Sequence, residues 1–188
     1  MPHIVTVFGA SSARPSSPEY DEALRLGRLL AEAGFTVCNG GYGGTMEATA
    51  RGARQAGGVA IGITNALFDP RAANRYITDE RKAPDFYERL RRLISLGDAY
   101  VCLRGSVGTL TEFSLTWTLL QTGAIAHKPF LCVGAAWRAV LDAYRAQLPV
   151  RAKDLALITL VDTVDAAAET LRHHFDECGP QSWRQLSP

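Results

Sequence analysis

Short apolar runs alternate with helical patterns along the chain. The first run, His3 to Phe8, is rich in valine and isoleucine and ends at a glycine, which predicts a buried strand. The next segment, Pro18 to Ala33, repeats apolar residues at helical spacing. Its first proline suits the first turn of a helix, and Gly34 suits its C-terminal end. This strand-then-helix unit recurs towards the C-terminus.

Five more units follow in the same way. Strands are predicted at 35–38, 59–63, 99–103, 129–133 and 157–161, and helices at 44–57, 84–96, 108–122, 137–148 and 164–174. The segment from Asn65 to Thr78 lacks clear periodicity, and a loop of this length in a compact domain is usually functional or mobile. Nearly continuous apolar strands are typical of a parallel sheet covered on both faces. The pattern therefore predicts an α/β fold, a Rossmann-like doubly wound parallel sheet with helices on both faces.

Length and composition fit a single domain, which we expect over residues 1–178, followed by a weakly ordered tail at 179–188. The formal net charge of +1 argues against a general nucleic-acid or membrane-surface binder. No apolar run approaches the roughly 18 residues of a membrane span. No signal peptide is visible, and the four cysteines form no CxxC pair, so we expect a cytoplasmic protein with reduced thiols. No cluster of histidine and cysteine suggests a metal site.

Glycine-rich turns follow two of the predicted strands, at the edge where open parallel sheets bind ligands. One turn runs from Gly40 to Thr45 and the other from Arg104 to Glu112, and each leads into a helix. Small residues let backbone amides approach an anion, and the positive end of the helix adds to the attraction. For the turn from Gly40 to Thr45 the alternative is a tight turn that needs positive φ. For Glu112 the alternative is a carboxylate that caps the start of its helix. Together with a third small-residue loop after the first strand, the candidate phosphate- or nucleotide-binding residues are Ser11, Ser12, Gly40, Gly41, Gly43, Gly44, Thr45, Gly105, Ser106, Gly108 and Thr109.

The second turn carries a family resemblance. Its sequence, RGSVGTLTE, resembles the PGGxGTxxE motif of the LOG family, also labelled lysine decarboxylase-like. Arg104 stands in place of the motif's proline and Ser106 in place of its second glycine. The family's ERK segment matches Glu80-Arg81-Lys82, and its glycine-rich loop followed by Met-Glu-Ala resembles residues 40–48. The resemblance runs over about residues 4–175, and the GGYGGTMEA form is closer to the nucleotide-sensing branch of the superfamily.

The resemblance implies a Rossmann-like phosphoribohydrolase that acts on cytokinin nucleotides or AMP. It implies Arg81 and Glu112 as the catalytic pair and the turn from Gly105 to Thr109 as the phosphate cradle. Arg104 and Lys82 are candidates for an additional anion contact. The decarboxylase label has no chemical support, because that reaction needs pyridoxal phosphate on a lysine. The chain has three lysines, and none has a recognisable cofactor-loop context.

Two functions stay open. The first is cleavage of the N-glycosidic bond of a nucleoside 5′-monophosphate to free base and ribose 5-phosphate, through an oxocarbenium-like state. Glu112 would stabilise the positive charge or activate water, Arg81 would orient the substrate, and the scheme needs no metal or cofactor. The second is a non-catalytic carrier, since a related branch of the superfamily binds molybdenum cofactor without turning it over. In either case the expected partner is a small phosphorylated ligand.

Assembly is predicted from the helix that follows the second turn. Leu110, Phe113, Trp117 and Leu120 make it apolar over more of its circumference than one sheet face needs. We therefore expect Trp117 and its neighbours to meet a second copy of the chain, in a homodimer or a larger homo-oligomer. The family resemblance also implies a homodimer.

Overall fold

A computed structural model describes residues 2–178 and confirms the predicted α/β fold. The tail expected at 179–188 lies outside the described residues. The elements are β1 Ile4–Phe8, α1 Pro18–Glu32, β2 Thr36–Asn39, α2 Thr45–Gln55, β3 Ala60–Gly62, a 3-10 turn Ala66–Phe68, β4 Asp79–Glu80, α3 Phe86–Leu96, β5 Ala99–Cys102, α4 Val107–Thr122, β6 Phe130–Val133, α5 Ala135–Gln147, α6 Ala152–Leu155, β7 Thr159–Val161 and α7 Val164–Cys178.

The strands form one parallel sheet in the order β4-β3-β2-β1-β5-β6-β7. β1 lies at its centre, paired with β2 on one side and with β5 on the other. The chain therefore leaves β1 towards one edge and returns at β5 to build the other. In open parallel sheets a ligand crevice forms where the strand order reverses, outside the carboxyl ends of the strands. That position lies between the ends of β1 and β5.

Helices cover both faces of the sheet. One face packs against α1, α2 and α7 through an apolar cluster that includes Val101 and Leu26. The opposite face packs against α3, α4 and α5 through a second cluster that includes Tyr100 and Phe113. β1, β2, β5 and β6 are almost wholly buried, as their continuous apolar sequences predict. No helix among residues 2–178 is long and apolar enough to cross a membrane.

The apolar residues of α4 are only partly covered within the chain, since Val107 is 77% and Leu110 is 38% exposed. Phe113 and Leu120 are buried in the core. The Trp117 indole donates a hydrogen bond to the carbonyl of Asp154 at 2.7 Å, and its ring stacks on that of Tyr144. Trp117 thus has partners in α5 and α6 of its own chain but stays partly exposed, and its contact with a second copy remains a prediction. The homo-oligomer itself stays a prediction.

Candidate functional site

A cleft opens at the carboxyl ends of β1, β2 and β5, where the strand order reverses. Its cavity volume is about 200 Å³. Its walls come from the loops after these strands, from the 3-10 turn and from the first turns of α3 and α4. The residues that line it are Val7, Phe8, Gly9, Ser11, Gly40, Tyr42, Met46, Phe68, Arg71, Phe86, Arg89, Ser106, Gly108, Thr109 and Glu112.

Glu112 projects into the cleft from α4. It follows Gly108 by four residues, so the two lie one above the other on the same helix face. Its side chain is 13% exposed, and its carboxylate Oε1 lies 3.8 Å from Nη1 of Arg89. The predicted acidic residue is therefore nearly buried and faces a cation.

Arg89 is the cation that faces Glu112, and sequence reasoning missed it. Its Nε donates to the carbonyl of Ile63 at 2.8 Å and its Nη2 to the carbonyl of Gly40 at 3.2 Å. A Cβ at Gly40 would lie 1.9 Å from that Nη2, so only glycine leaves room for the guanidinium. With two of its nitrogens held by backbone carbonyls, the guanidinium is fixed with Nη1 towards Glu112.

Burial changes the acid–base behaviour of this pair. Removal from water raises the pKa of Glu112 to about 7, although the positive charge of Arg89 opposes the shift. Burial lowers the pKa of Arg89, and the charge of Glu112 partly offsets that effect. A carboxyl group with a pKa near neutrality is suited to exchange a proton during a reaction at physiological pH.

Arg81, the predicted partner of Glu112, lies elsewhere. Its Nε and Nη2 both donate to one carboxylate oxygen of Asp79, at 3.0 and 2.7 Å, and the described residues that line the cleft do not include it. Lys82, a candidate anion contact, pairs with Asp69 at 2.7 Å and is also outside the lining. The structure therefore brings Arg89, and not Arg81, to Glu112.

Arg89 reaches the cleft because it lies on α3, next to the loop after β2. Glu-Arg occurs twice, at 80–81 and at 88–89, and the two copies are eight residues apart. The first copy lies at the end of the short edge strand β4, with Arg81 just after it. The second lies in the first turns of α3, where Arg89 contacts the loop after β2. The repeated dipeptide makes Arg89 a second candidate for this position, but the sequence pattern does not show which copy reaches Glu112.

The turn at the start of α4, residues 106–109, is open to an anion and is called the anion turn below. Ser106 is the N-cap residue, its side chain makes no capping hydrogen bond, and it lines the cleft with Gly108 and Thr109. Ser11 faces it from the loop after β1. The first backbone N–H groups of a helix have no partner within the helix, and they attract anions. The predicted phosphate-binding residues Ser11, Ser106, Gly108 and Thr109 are thus brought together in one cleft.

The other predicted binding residues divide into two groups. Ser12, Arg104 and Gly105 line an adjoining groove. In the loop after β2, Gly40 reaches the cleft, whereas the hydroxyl and the backbone N–H of Thr45 both donate to the carbonyl of Ala10. Gly41, Gly43 and Gly44 shape that loop without lining the cleft. The glycine-rich turn from Gly40 to Thr45 therefore serves mainly to fix the loop after β2 against the loop after β1.

Tyr42 and Phe68 form an aromatic wall of the cleft. The rings of Tyr42 and Phe68 meet edge to face, 5.6 Å apart, and the guanidinium of Arg71 lies 5.0 Å from the Tyr42 ring centre. Phe68 and Arg71 belong to the segment without periodicity. Asn74 fastens that segment to the β2 loop through hydrogen bonds to the carbonyls of Gly41 and Tyr42. The long loop thus contributes ordered side chains to the site.

Comparisons with known proteins identify the family of the chain. The sequence profile of the SLOG cluster4 family matches residues 2–126, a span that includes every residue lining the cleft. The cytokinin riboside 5′-monophosphate phosphoribohydrolase of Rhodococcoides fascians is 35% identical over 126 residues, which cover 63% of this chain and 63% of that relative. The chain therefore aligns with less than two thirds of that relative's length.

Solved structures share the fold. The molybdenum cofactor binding protein of the phototrophic bacterium Rippkaea orientalis superimposes with a TM-score of 0.74 at 20% identity, covering 93% of this chain and 98% of that one. The molybdenum cofactor carrier protein of Chlamydomonas reinhardtii gives a TM-score of 0.72 at 19% identity, covering 92% and 98%. At these identities the likeness establishes a common architecture.

Proposed function

The chain belongs to the SLOG cluster4 family, which is LOG-like, and from this premise we propose that it cleaves the N-glycosidic bond of a nucleoside 5′-monophosphate. The products are a free base and ribose 5-phosphate. The observation that carries the proposal is the buried Glu112 carboxyl beside Arg89, one helical turn from an open anion-binding turn. Phosphoribohydrolase is the name of relatives such as the R. fascians protein.

The cleft can hold the three parts of such a substrate. The 5′-phosphate accepts hydrogen bonds from the backbone at Gly108 and Thr109 and from the hydroxyl of Ser106. Four residues of helix rise about 6 Å, a span comparable to that from the phosphate to the anomeric carbon. This places the glycosidic bond near Glu112. The base lies against the rings of Phe68 and Tyr42, since aromatic rings stack well on nucleobases.

Glu112 acts on the charge that develops as the bond breaks. The bond between the anomeric carbon and the base nitrogen breaks with its electron pair on the base, and positive charge spreads over the ribose ring. The carboxylate stabilises that charge and accepts a proton from the water that adds to the anomeric carbon. Its pKa of about 7 keeps a large fraction in the carboxylate form at neutral pH.

Arg89 positions Glu112 and offsets negative charge on the leaving base. Its guanidinium is fixed by two backbone carbonyls, so it needs no reorganisation during the reaction. It also holds the pKa of Glu112 below the value that burial alone would give. The base takes up its proton from solvent in this scheme.

A carrier that binds a phosphorylated ligand without turnover is the second candidate. Arg104 favours it, because this residue adds a cation where the resembling motif has proline. Such a protein would bind its ligand through the same anion turn, but it would leave the glycosidic bond intact.

The proposal is tested by incubating the protein with a panel of nucleoside 5′-monophosphates and measuring free base by chromatography. We expect base release from at least one purine nucleotide, together with an equal amount of ribose 5-phosphate. The Glu112→Gln variant serves as the control for contaminating hydrolases. Binding of nucleotides without base release from any of them would overturn the hydrolase and support the carrier.

A further inference from the structure

A groove adjoins the cleft on the far side of the anion turn. Its cavity volume is about 430 Å³, and its lining includes Ser12, Arg14, Ser17, Arg104 and Gly105. Ser106 lines both spaces, so the groove and the cleft meet at this residue.

Each loop around the cleft and the groove contributes different residues to the two spaces. After β1, Ser11 faces the cleft and Ser12 faces the groove. After β5, Arg104 and Gly105 line the groove, whereas Gly108 and the rest of the α4 turn line the cleft. Neither Glu112 nor Arg89 belongs to the groove lining. A ligand whose phosphate lies at the α4 turn therefore has the groove directly beyond that phosphate, away from the glycosidic bond.

The charges of the groove favour an anion. Arg14 and Arg104 contribute two cations, and Glu19 contributes one carboxylate. Nη1 of Arg104 lies 3.3 Å from Oε1 of Glu19, and the two side chains are 70% and 39% exposed. An ion pair this exposed contributes little, so a phosphoryl group can take the place of Glu19 at modest cost. Guanidinium groups bind phosphate with two parallel hydrogen bonds, which ammonium groups cannot do.

From this placement we propose that the protein binds ligands with a second phosphoryl group beyond the 5′-phosphate, of the nucleoside 5′-diphosphate class. The first phosphate occupies the α4 turn and the second occupies the groove between Arg14 and Arg104. The inference rests on the proposed function in one respect, that the α4 turn receives the 5′-phosphate.

The test compares the binding of AMP and ADP by titration calorimetry, in EDTA so that no metal ion bridges the phosphates. We expect ADP to bind wild-type protein about tenfold more tightly than AMP, the gain of one charge-assisted contact. Arg104→Ala and Arg14→Ala should each remove most of that gain and leave the AMP affinity within about twofold, since neither side chain reaches the first phosphate.

The matched control is Arg138→Ala, which removes an exposed arginine that pairs with Asp162 outside the groove. It should change neither affinity. Both test arginines are exposed, so their variants are expected to fold.

Equal affinities of wild-type protein for AMP and ADP would overturn the inference. So would an Arg104→Ala variant whose affinities for AMP and for ADP fall by the same factor. These outcomes are separate from the fate of the proposed function. If ADP binds through Arg104 and no nucleotide is hydrolysed, the second phosphate site stands and the hydrolase does not. If AMP is hydrolysed and ADP binds no better, the hydrolase stands and the second site does not.

Discussion

Nη1 of Arg89, on α3, lies 3.8 Å from Oε1 of Glu112, on α4, and the two side chains are 8% and 13% exposed. Two backbone carbonyls hold the guanidinium in that position. The pair combines a rigid cation with a carboxyl group whose pKa is about 7. The proposed chemistry depends on this relationship more than on any other in the molecule.

The pH dependence of the reaction should report Glu112. Because the carboxylate is the active form, kcat/KM should rise with pH, with an inflection near 7, and then level off. Arg89→Gln should move the inflection to higher pH, since the charge of Arg89 lowers the pKa of Glu112. Arg81→Ala is the control, and it should leave the inflection in place. A profile that is flat from pH 5 to 8 under AMP-limited conditions would contradict the role of Glu112.

Folding stability should show the cost of burying the same carboxyl group. The folded-state pKa of about 7 lies above the ordinary value of 4.5, so the folded state binds the proton more tightly than the unfolded state. Stability that is present below pH 4.5 is therefore lost as the pH rises towards 7. Glu112→Gln mimics the neutral form and should escape this loss.

We expect Glu112→Gln to match the wild type near pH 4.5 and to be more stable at pH 8 by about 1–3 kcal/mol. Thermal melts of both proteins across this pH range measure the difference. A constant difference across the range would show that Glu112 titrates normally.

Gly108 allows the anion turn to be tested without damage to the fold. A Cβ at this position meets no atom within 4 Å, and alanine is the better helix former. Gly108→Ala should therefore melt at or above the wild-type temperature, while the methyl group obstructs the phosphate and weakens AMP binding about tenfold or more. Ser114→Ala, on an exposed part of the same helix, is the control. Unchanged AMP affinity in Gly108→Ala would mean that the phosphate binds elsewhere.

The aromatic wall of Tyr42 and Phe68 should contribute to binding of the base and not to binding of the phosphate. Phe68 is 39% exposed, so Phe68→Ala should fold normally. Loss of one stacking ring should raise KM for AMP about tenfold and leave the affinity for inorganic phosphate unchanged. Leu67→Ala removes the neighbouring side chain, which is 70% exposed and does not line the cleft, and it should behave as wild type. Equal KM values for the two variants would exclude Phe68 from base binding.

The sheet and its helices could be predicted from the sequence because each element carries its own local pattern. β1 was expected from His3 and begins at Ile4, and α1 was expected to Ala33 and ends at Glu32. The short elements β4 and α6 were missed, because two to four residues show no periodicity. β4 forms by pairing with β3, and α6 lies against Trp117 of α4, and the sequence displays neither contact.

The site could be predicted only in part. Glu112 was found because it ends the segment RGSVGTLTE, which resembles the motif of the LOG family. Arg89 was missed because its role depends on where α3 crosses the β2 loop, and no local pattern records that crossing. Likewise Trp117 has an apolar neighbourhood in the sequence, but its partners Tyr144 and Asp154 come from later elements. Contacts between distant segments are the information that the sequence pattern lacks.

The most direct test of the catalytic pair is kcat for base release from the best nucleotide by wild type, Glu112→Gln, Arg89→Lys and Arg81→Ala. Glu112→Gln should lower kcat about 100-fold or more with little change in KM, because the carboxylate acts on charge that appears only in the transition state. Arg89→Lys should also lower kcat, since lysine cannot hold both backbone carbonyls and face Glu112. Arg81→Ala should stay within about threefold of wild type, as expected for an exposed ion pair with Asp79. Full activity in Glu112→Gln, or a loss in Arg81→Ala that exceeds the loss in Arg89→Lys, would contradict the account.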